Sequence, residues 1–235
     1  MKNGVINSLS NGEVIITAKA GTKTVIVNVT IHNADIKDLF DAIDDSNFIN
    51  YQTNINANIW VSSQKAISSS TVYVDNNKTE TQSGMVKVYT LIEDNTIYIA
   101  THLFGDDWEV TTSQLTEVDN DVNEQLVLSV EDFTKSGDYY TLKDGKAEEY
   151  SEILNDYIQN GAEITRFGFF RYKIKVTDGK IREVEVIFEG VIKFTNGNNS
   201  SSFDFKLNLE MNLLNYGSVN VHIPEKAMEK INSIK

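Results

Sequence analysis

The side chains in this sequence that could carry out chemistry are histidines, carboxylates and aromatic rings, since the chain has no cysteine. The absence of cysteine excludes disulfides, thiolate metal sites and a cysteine nucleophile. His32, His102 and His222 are isolated, and none has a partner at the spacing of a shared metal site. The sequence also has no Gly-x-Ser-x-Gly elbow, phosphate-binding glycine loop or dinucleotide motif. We therefore expect a non-enzymatic protein without cofactor or metal.

The carboxylates leave two alternatives open. The stretch 119–123 begins like a calcium loop, but Glu124 replaces its glycine and Val130 its bidentate glutamate. A looser calcium site at 106–109 remains open. A hydrolase with a glycosidase-like acidic pair is a further alternative, although no pair is distinguished by its spacing.

The aromatic and aliphatic side chains of the C-terminal half form the candidate ligand site. They are compatible with a cavity for a lipid or acyl chain, or for another apolar small molecule, but composition does not distinguish such a cavity from a packed core. The alternative is an ordinary core packed under helices. The candidate ligand-binding residues are Phe170, Tyr172, Phe188, Ile192, Phe194, Phe205, Leu207, Leu209, Met211, Ile153 and Tyr157.

Three long alternating segments would position these residues. The segments 163–177, 180–195 and 201–216 are joined by Asp178-Gly179 and Asn196-Gly197, which are typical of hairpin turns. Side chains alternate across a strand, so each segment has one apolar and one polar face. Strands of this length must curve, and the change of parity between Phe169 and Phe170 predicts either a bulge or burial on both faces of the strand.

Two amphipathic helices are predicted to cover the apolar face. Apolar residues at helical spacing predict one over 35–45, with Ile36, Leu39, Phe40 and Ile43 on its stripe, and another over 146–160. Between them we expect strands at 51–61, 71–74, 85–91, 96–103 and 139–142, with a weak helix at 122–130. Pro224 precedes a short terminal helix. The predicted fold class is α+β, mainly β: a long curved antiparallel sheet, or half-open β-barrel, that covers helices and is preceded by a short β-ribbon or a partial unit of another β domain.

Net charge and the distribution of apolar residues narrow the classes of partner that this protein could have. The net charge of −13 argues against nucleic acid, whose phosphates would be repelled. No apolar run approaches the length of a membrane span, and the N-terminus has no basic-then-apolar export signal. We expect a monomer, with any native export signal or anchor upstream of residue 1.

The N-terminal segment resembles part of a known domain. Residues 10–31, SNGEVIITAKAGTKTVIVNVTI, resemble the closing strands of group 2 bacterial immunoglobulin-like domains, where an Asn-Gly turn leads to a Val/Ile-rich last strand. The match covers the last third of such a domain. It implies tandem extracellular modules that act as spacers or adhesive stalks.

The remaining chain resembles the LolA/LppX-like fold of bacterial lipoproteins and lipid carriers. Three segments are similar to parts of that family. They are DNTIYIATHLFGDDWEVT (94–111), which resembles a strand pair in which a Gly-Asp turn leads to a Trp, KVTDGKIREVEVIFEG (175–190), which resembles an Asp-Gly hairpin, and GSVNVHIP (217–224), which resembles a closing strand. The resemblance implies a half-open barrel with a cavity for lipid or acyl chains. Many members carry a lipidated N-terminal cysteine, which this sequence does not have.

These observations predict a partial immunoglobulin-like unit at 1–32 and a half-barrel domain at 33–235. The expected function is binding or carrying an apolar ligand, at the extracellular or cell-envelope surface of a bacterium. A peripheral association with the envelope would need an anchor upstream. A structural or adhesive surface module without a ligand is the alternative.

Overall fold

The computed structural model describes residues 12–20, 23–31, 36–102, 107–115, 129–150, 162–196 and 199–235. Several predictions therefore lie outside the described residues. They are His32, Asp106, the calcium-like stretch 119–123, most of the helix predicted at 122–130, and residues 151–160 of the second amphipathic helix, with Ile153 and Tyr157.

An open antiparallel sheet of eleven strands dominates the described chain. Its first six strands form a meander in chain order from the middle of the sheet to one edge. They are β3 (Asn50–Val61), β4 (Gln64–Asp75), β5 (Lys78–Ser83), β6 (Val86–Glu93), β7 (Thr96–His102) and β8 (Trp108–Gln114). The chain then continues at the opposite edge of the sheet.

A second meander returns from that edge to the middle. Its strands are β9 (Phe133–Ser136), β10 (Tyr139–Leu142), β11 (Ala162–Thr177), β12 (Lys180–Asn196) and β13 (Asn199–Leu214), and β13 pairs with β3. The last three strands have 16, 17 and 16 residues, well beyond the usual five or six. The predicted class, a long unclosed antiparallel sheet with few helices, is confirmed.

The bulge predicted near Phe169 is also confirmed. The pairing of β11 with β12 shifts register between Ile164 and Arg166 and again between Phe167 and Phe169. An extra residue on one strand bends it and increases its twist. Because of the second shift, Phe167 and Phe170 lie on one face of the sheet and Phe169 on the other.

Several strands differ from the prediction. β4 begins at Gln64, not near residue 71, and β5 and β9 were not predicted as strands, whereas β8 was expected only from the resemblance of residues 94–111 to a strand pair. β5 reads KTETQS, which is polar on both faces, so its strand state comes from hydrogen bonding to β4 and β6. Residues 217–224, predicted as a closing strand, have no strand conformation.

The other described elements are a separate ribbon, two α-helices and short helical segments, among them the 3-10 helices Asp45–Asn47, Val130–Asp132 and Asp144–Lys146. β1 (Gly12–Ala20) and β2 (Lys23–Ile31) pair only with each other, which matches the predicted N-terminal ribbon. Helix α1 (Lys37–Ala42) buries Leu39 and Ala42 but leaves Phe40 63% exposed, so Phe40 was wrongly assigned to its apolar stripe. Helix α2 (Glu225–Ile234) follows Pro224 as predicted, and residues 147–150 are helical. Among the described residues, no helix has the length and apolar character needed to cross a membrane.

The two ends of the sheet bury opposite faces. We name face A the face that carries Leu213, and face B the face that carries Leu214. By strand register, the core under α1 lies on face A and includes Tyr172, Ile174, Val184 and Leu213. The core under α2 lies on face B and includes Tyr89, Leu91, Tyr98, Ala100 and Trp108.

A polar clamp directs the chain from β13 to α2. The side-chain amide of Asn50 donates to the Val219 carbonyl at 2.8 Å and accepts from the Val219 N–H at 2.8 Å. The same amide nitrogen donates to Asp75 Oδ1, and Asp75 Oδ2 accepts from the Val221 N–H. The clamp supplies the hydrogen bonds that residues 217–224 would otherwise obtain from a strand partner.

We predict that Asn50→Ala lowers the free energy of unfolding by about 2–3 kcal/mol, because it leaves partly buried backbone groups of Val219 without partners. Urea denaturation followed by circular dichroism measures this change. Asn56→Ala on the same strand is the control, since Asn56 is exposed and its side chain accepts a hydrogen bond from another exposed side chain, Ser69. Equal stability of the two variants would contradict the clamp.

Candidate functional site

Face A carries an apolar stripe across the centre of the sheet. The stripe consists of Phe205, Leu207 and Leu209 on β13, paired with Val61, Ile59 and Ala57 on β3. All six residues are partly exposed, unlike the core under α1. Their alternation with polar neighbours places one apolar side chain on face A at every second position.

The neighbouring strand leaves space beside this stripe. On β4, Ala66 pairs with Ile59 and Ser68 pairs with Ala57, and both are exposed. Alanine and serine fill little volume above the backbone, so the edge of the stripe facing β4 is open. A long apolar molecule lying along β13 and β3 would contact aliphatic side chains beneath it and meet only small side chains of β4 beside Ile59 and Ala57, whereas Gln64 lies beside Val61.

An aromatic row borders the stripe on its other side. The ring centroids of Phe188 and Phe205 are 5.9 Å apart, and those of Phe167 and Phe188 are 6.2 Å apart. Phe194 and Phe203 form a further edge-to-face pair at 5.9 Å. The edge-to-face pair has a favoured arrangement, whereas the two pairs that involve Phe188 are tilted and are close enough for ring contact. Phe188 is 1% exposed, so its ring supports the others instead of offering a free surface.

Gly190 makes this aromatic row possible. A Cβ on Gly190 would lie 2.4 Å from the Arg166 carbonyl oxygen and 2.7 Å from Cζ of Phe188. Both distances are far below van der Waals contact. A residue without a side chain is therefore required where β11 approaches β12 and the Phe188 ring covers the backbone.

Tyr172 and Phe170 belong to the end of face A that α1 covers. Tyr172 is 5% exposed and packs against Phe133, with ring centroids 5.6 Å apart, and against Tyr150 at 6.1 Å. Burial, and to a lesser degree the neighbouring Tyr150, raise the pKa of Tyr172, so its hydroxyl stays protonated in neutral solution. Tyr172 therefore contributes a neutral packed ring here.

The predicted ligand-binding residues divide into three groups by exposure. Tyr172, Phe188 and Ile192 are buried, whereas Phe170, Phe205, Leu207, Leu209 and Met211 are partly exposed and Phe194 is 42% exposed. Strand register places all nine of them on face A. Phe170 and Met211 also pack against the core under α1, so the residues that remain accessible are chiefly those of the stripe and Phe194.

Face B carries a second feature, which the sequence did not predict. An open groove of about 510 Å³ lies where β11, β12, β13 and β3 run side by side. Its lining includes Trp60, Phe169, Glu189, Lys206, Arg166 and Asp204. Trp60 occupies a polar position in the alternation of β3, after Asn54, Asn56 and Asn58, and that signal could have indicated a surface aromatic.

Charged side chains form pairs within this groove. Lys206 Nζ donates to Glu189 Oε1 at 2.5 Å, and Arg166 lies 3.6 Å from Asp204. Lys206 and Lys65 also approach the Trp60 ring, at 5.7 and 4.9 Å from its centroid. Among the described residues, no group of three or more histidines and carboxylates could hold a metal ion.

These features define a mainly β protein with an open antiparallel sheet, an apolar stripe on one face and a polar groove on the other. No family model matches the chain, and no curated protein matches it. Among solved structures, it is similar to the crystal structure of a DUF1329 family protein from Desulfovibrio piger, with 9% identity and a TM-score of 0.26. The match covers 82% of this chain and 94% of that chain. A similarity of this size supports no conclusion about function, and the resemblances to LolA/LppX-like and immunoglobulin-like proteins remain predictions.

We predict that Gly190→Ala destabilises the protein by about 2 kcal/mol or more, because the added methyl group overpacks the contact between β11 and β12. Thermal and urea unfolding measure the loss. Gly145→Ala is the matched control, since a Cβ at Gly145 meets nothing within 4 Å and its φ is not positive. A Gly190→Ala protein as stable as the control would show that the strands separate without cost.

Proposed function

We propose that this protein is a non-enzymatic binder or carrier of an apolar ligand, a lipid or an acyl chain, and that the stripe on face A contacts it. The observation that carries the proposal is the stripe itself, six partly exposed apolar side chains aligned across β13 and β3. A soluble protein rarely leaves a continuous row of this kind without a partner.

Removal of acyl surface from water would supply the binding energy. Burial of each methylene contributes about 0.8 kcal/mol, so a chain of about fifteen buried methylenes, about 12 kcal/mol, would reach micromolar affinity after an association cost of about 4 kcal/mol. The stripe itself provides no charged anchor. Selection would therefore depend on the length and shape of the chain more than on its head group.

The cellular setting is part of the same proposal. We place the protein, as a monomer, at the extracellular or cell-envelope surface of a bacterium. The support is the sequence resemblance to lipid-carrier and immunoglobulin-like proteins.

A structural or adhesive module is the second candidate, and a specific observation favours it. Tyr172, Phe188 and Ile192, three of the residues predicted to contact ligand, are already buried by the protein. If neighbouring side chains fill the rest of face A in the same way, no ligand is needed. The two candidates differ in whether an acyl chain binds saturably.

Native mass spectrometry of protein purified from bacteria, together with titration of a dansyl-labelled fatty acid, tests the proposal. We expect a co-purified lipid mass, or saturable fluorescence enhancement that unlabelled palmitate reverses. Absence of both a bound mass and saturable binding would rule out ligand carriage and leave the structural module.

Variants locate the binding surface. We predict that Leu207→Ser combined with Leu209→Ser lowers the affinity for the fatty acid by at least about tenfold, because two aliphatic contacts are lost. Ile67→Ser is the control, since Ile67 is 69% exposed and lies on face B of β4. Unchanged affinity in the double variant, with normal circular dichroism, would place the ligand elsewhere.

A further inference from the structure

A row of side chains on face B has aromatic rings at both ends and charges between them. Phe169 pairs with Glu189, Glu189 with Lys206, and Lys206 with Trp60, on four neighbouring strands. Three steps of about 4.8 Å separate the ends of this row, so the Cα atoms of Phe169 and Trp60 lie about 14 Å apart. The groove therefore runs across the strands, with an aromatic ring at each end.

The backbone of β11 and β12 forms the groove wall beside Phe169. Gly168 is the extra residue in the second register shift, and a Cβ there would lie 2.8 Å from the Glu189 carbonyl oxygen. The close approach of the two strands turns Phe169 to face B, where its side chain is 46% exposed. The exposed ring is thus fixed by a bulge in a paired strand, which makes it a rigid platform.

The charges in the groove favour a neutral polar ligand. Glu189 is paired with Lys206 and Arg166 with Asp204, so neither pair leaves a net charge for an ionic ligand to neutralise. Both pairs are partly or largely exposed and keep hydrogen-bonding capacity, since a carboxylate accepts more than one hydrogen bond and an ammonium or guanidinium donates several. Hydroxyl groups can use that capacity without breaking the pairs.

We propose that this groove binds a short neutral oligosaccharide. The apolar C–H faces of its end sugars stack on Trp60 and Phe169, and its hydroxyls hydrogen-bond to Glu189, Lys206, Arg166 and Asp204. The stacked sugar displaces Lys65 from the Trp60 ring, and Lys65 is an exposed side chain that is free to move. This site lies on the opposite face from the apolar stripe and does not depend on the proposed lipid binding.

Other ligand classes fit this groove less well. An acyl chain would cover four charged side chains and desolvate them without compensation. A nucleic acid has bases that could stack on the rings, but the net charge of −13 opposes its phosphates. A neutral, hydroxyl-rich chain with flat apolar faces meets both the aromatic ends and the paired charges.

The two tryptophans of the chain provide a direct test. Trp108 is 8% exposed and packs against Tyr89 and His102, so Trp108→Phe leaves Trp60 as the single reporter. Maltohexaose, cellohexaose and chitohexaose are titrated separately, with tri-galacturonate as an anionic probe. We expect a saturable change in Trp60 emission with at least one neutral hexasaccharide. No saturable change, or a response to the anionic probe alone, would overturn the proposal.

Isothermal titration calorimetry on protein that retains Trp108 then locates the site. We expect Trp60→Ala and Phe169→Ala each to lower the affinity for the hexasaccharide that binds by at least tenfold. The exposed Ile67 provides the control, and Ile67→Ala is expected to bind normally. Full affinity in both aromatic variants, with unchanged circular dichroism, would overturn the assignment. The Leu207→Ser, Leu209→Ser protein should keep its affinity for the saccharide. Lipid binding and saccharide binding are therefore tested independently, and either can be absent without the other.

Discussion

β13 pairs with β3 from Phe205 opposite Val61 to Leu214 opposite Gln52, and this pairing joins the two meanders into one sheet. The two strands are far apart in the chain, so the contact between them is non-local and carries a large cost in chain entropy. Both candidate sites cross this junction. The apolar stripe uses Leu207 with Ile59 on face A, and the groove uses Lys206 with Trp60 on face B. A slip of one residue in this register would exchange the two faces and abolish both sites.

The two ends of the sheet bury apolar side chains on opposite faces. β10 to β13 present their apolar side chains to α1 on face A, whereas β6 to β8 present theirs to α2 on face B. A helix on one face at each end covers much of the apolar surface of a wide sheet. The stripe lies between these ends, on the face that α2 does not cover. Its partial exposure follows from that change of face.

The elements of this fold that can be predicted are those marked by alternating apolar and polar residues or by turn dipeptides. The three long strands, the Asp178-Gly179 hairpin and the bulge near Phe169 follow from local sequence, because each depends on neighbouring residues. β5 and β8 could not be predicted in this way, since KTETQS and the polar end of WEVTTSQ become strands through hydrogen bonds to neighbouring strands. The face A residues were predictable by parity. The groove was not, because Trp60 and Phe169 come together only through the order of strands.

The second register shift in β11 determines the positions of aromatic side chains at both sites. It sends Phe167 to face A, where its ring packs on Phe188 beside the stripe, and Phe169 to face B, where its ring forms one end of the groove. Gly168 and Gly190 allow this because neither has a Cβ that would push β11 and β12 apart. Backbone pairs in a sheet have a small set of discrete registers, so the bulge cannot move gradually. A change that removes it must therefore reposition the aromatic side chains on both faces together, although the two faces share no side chain.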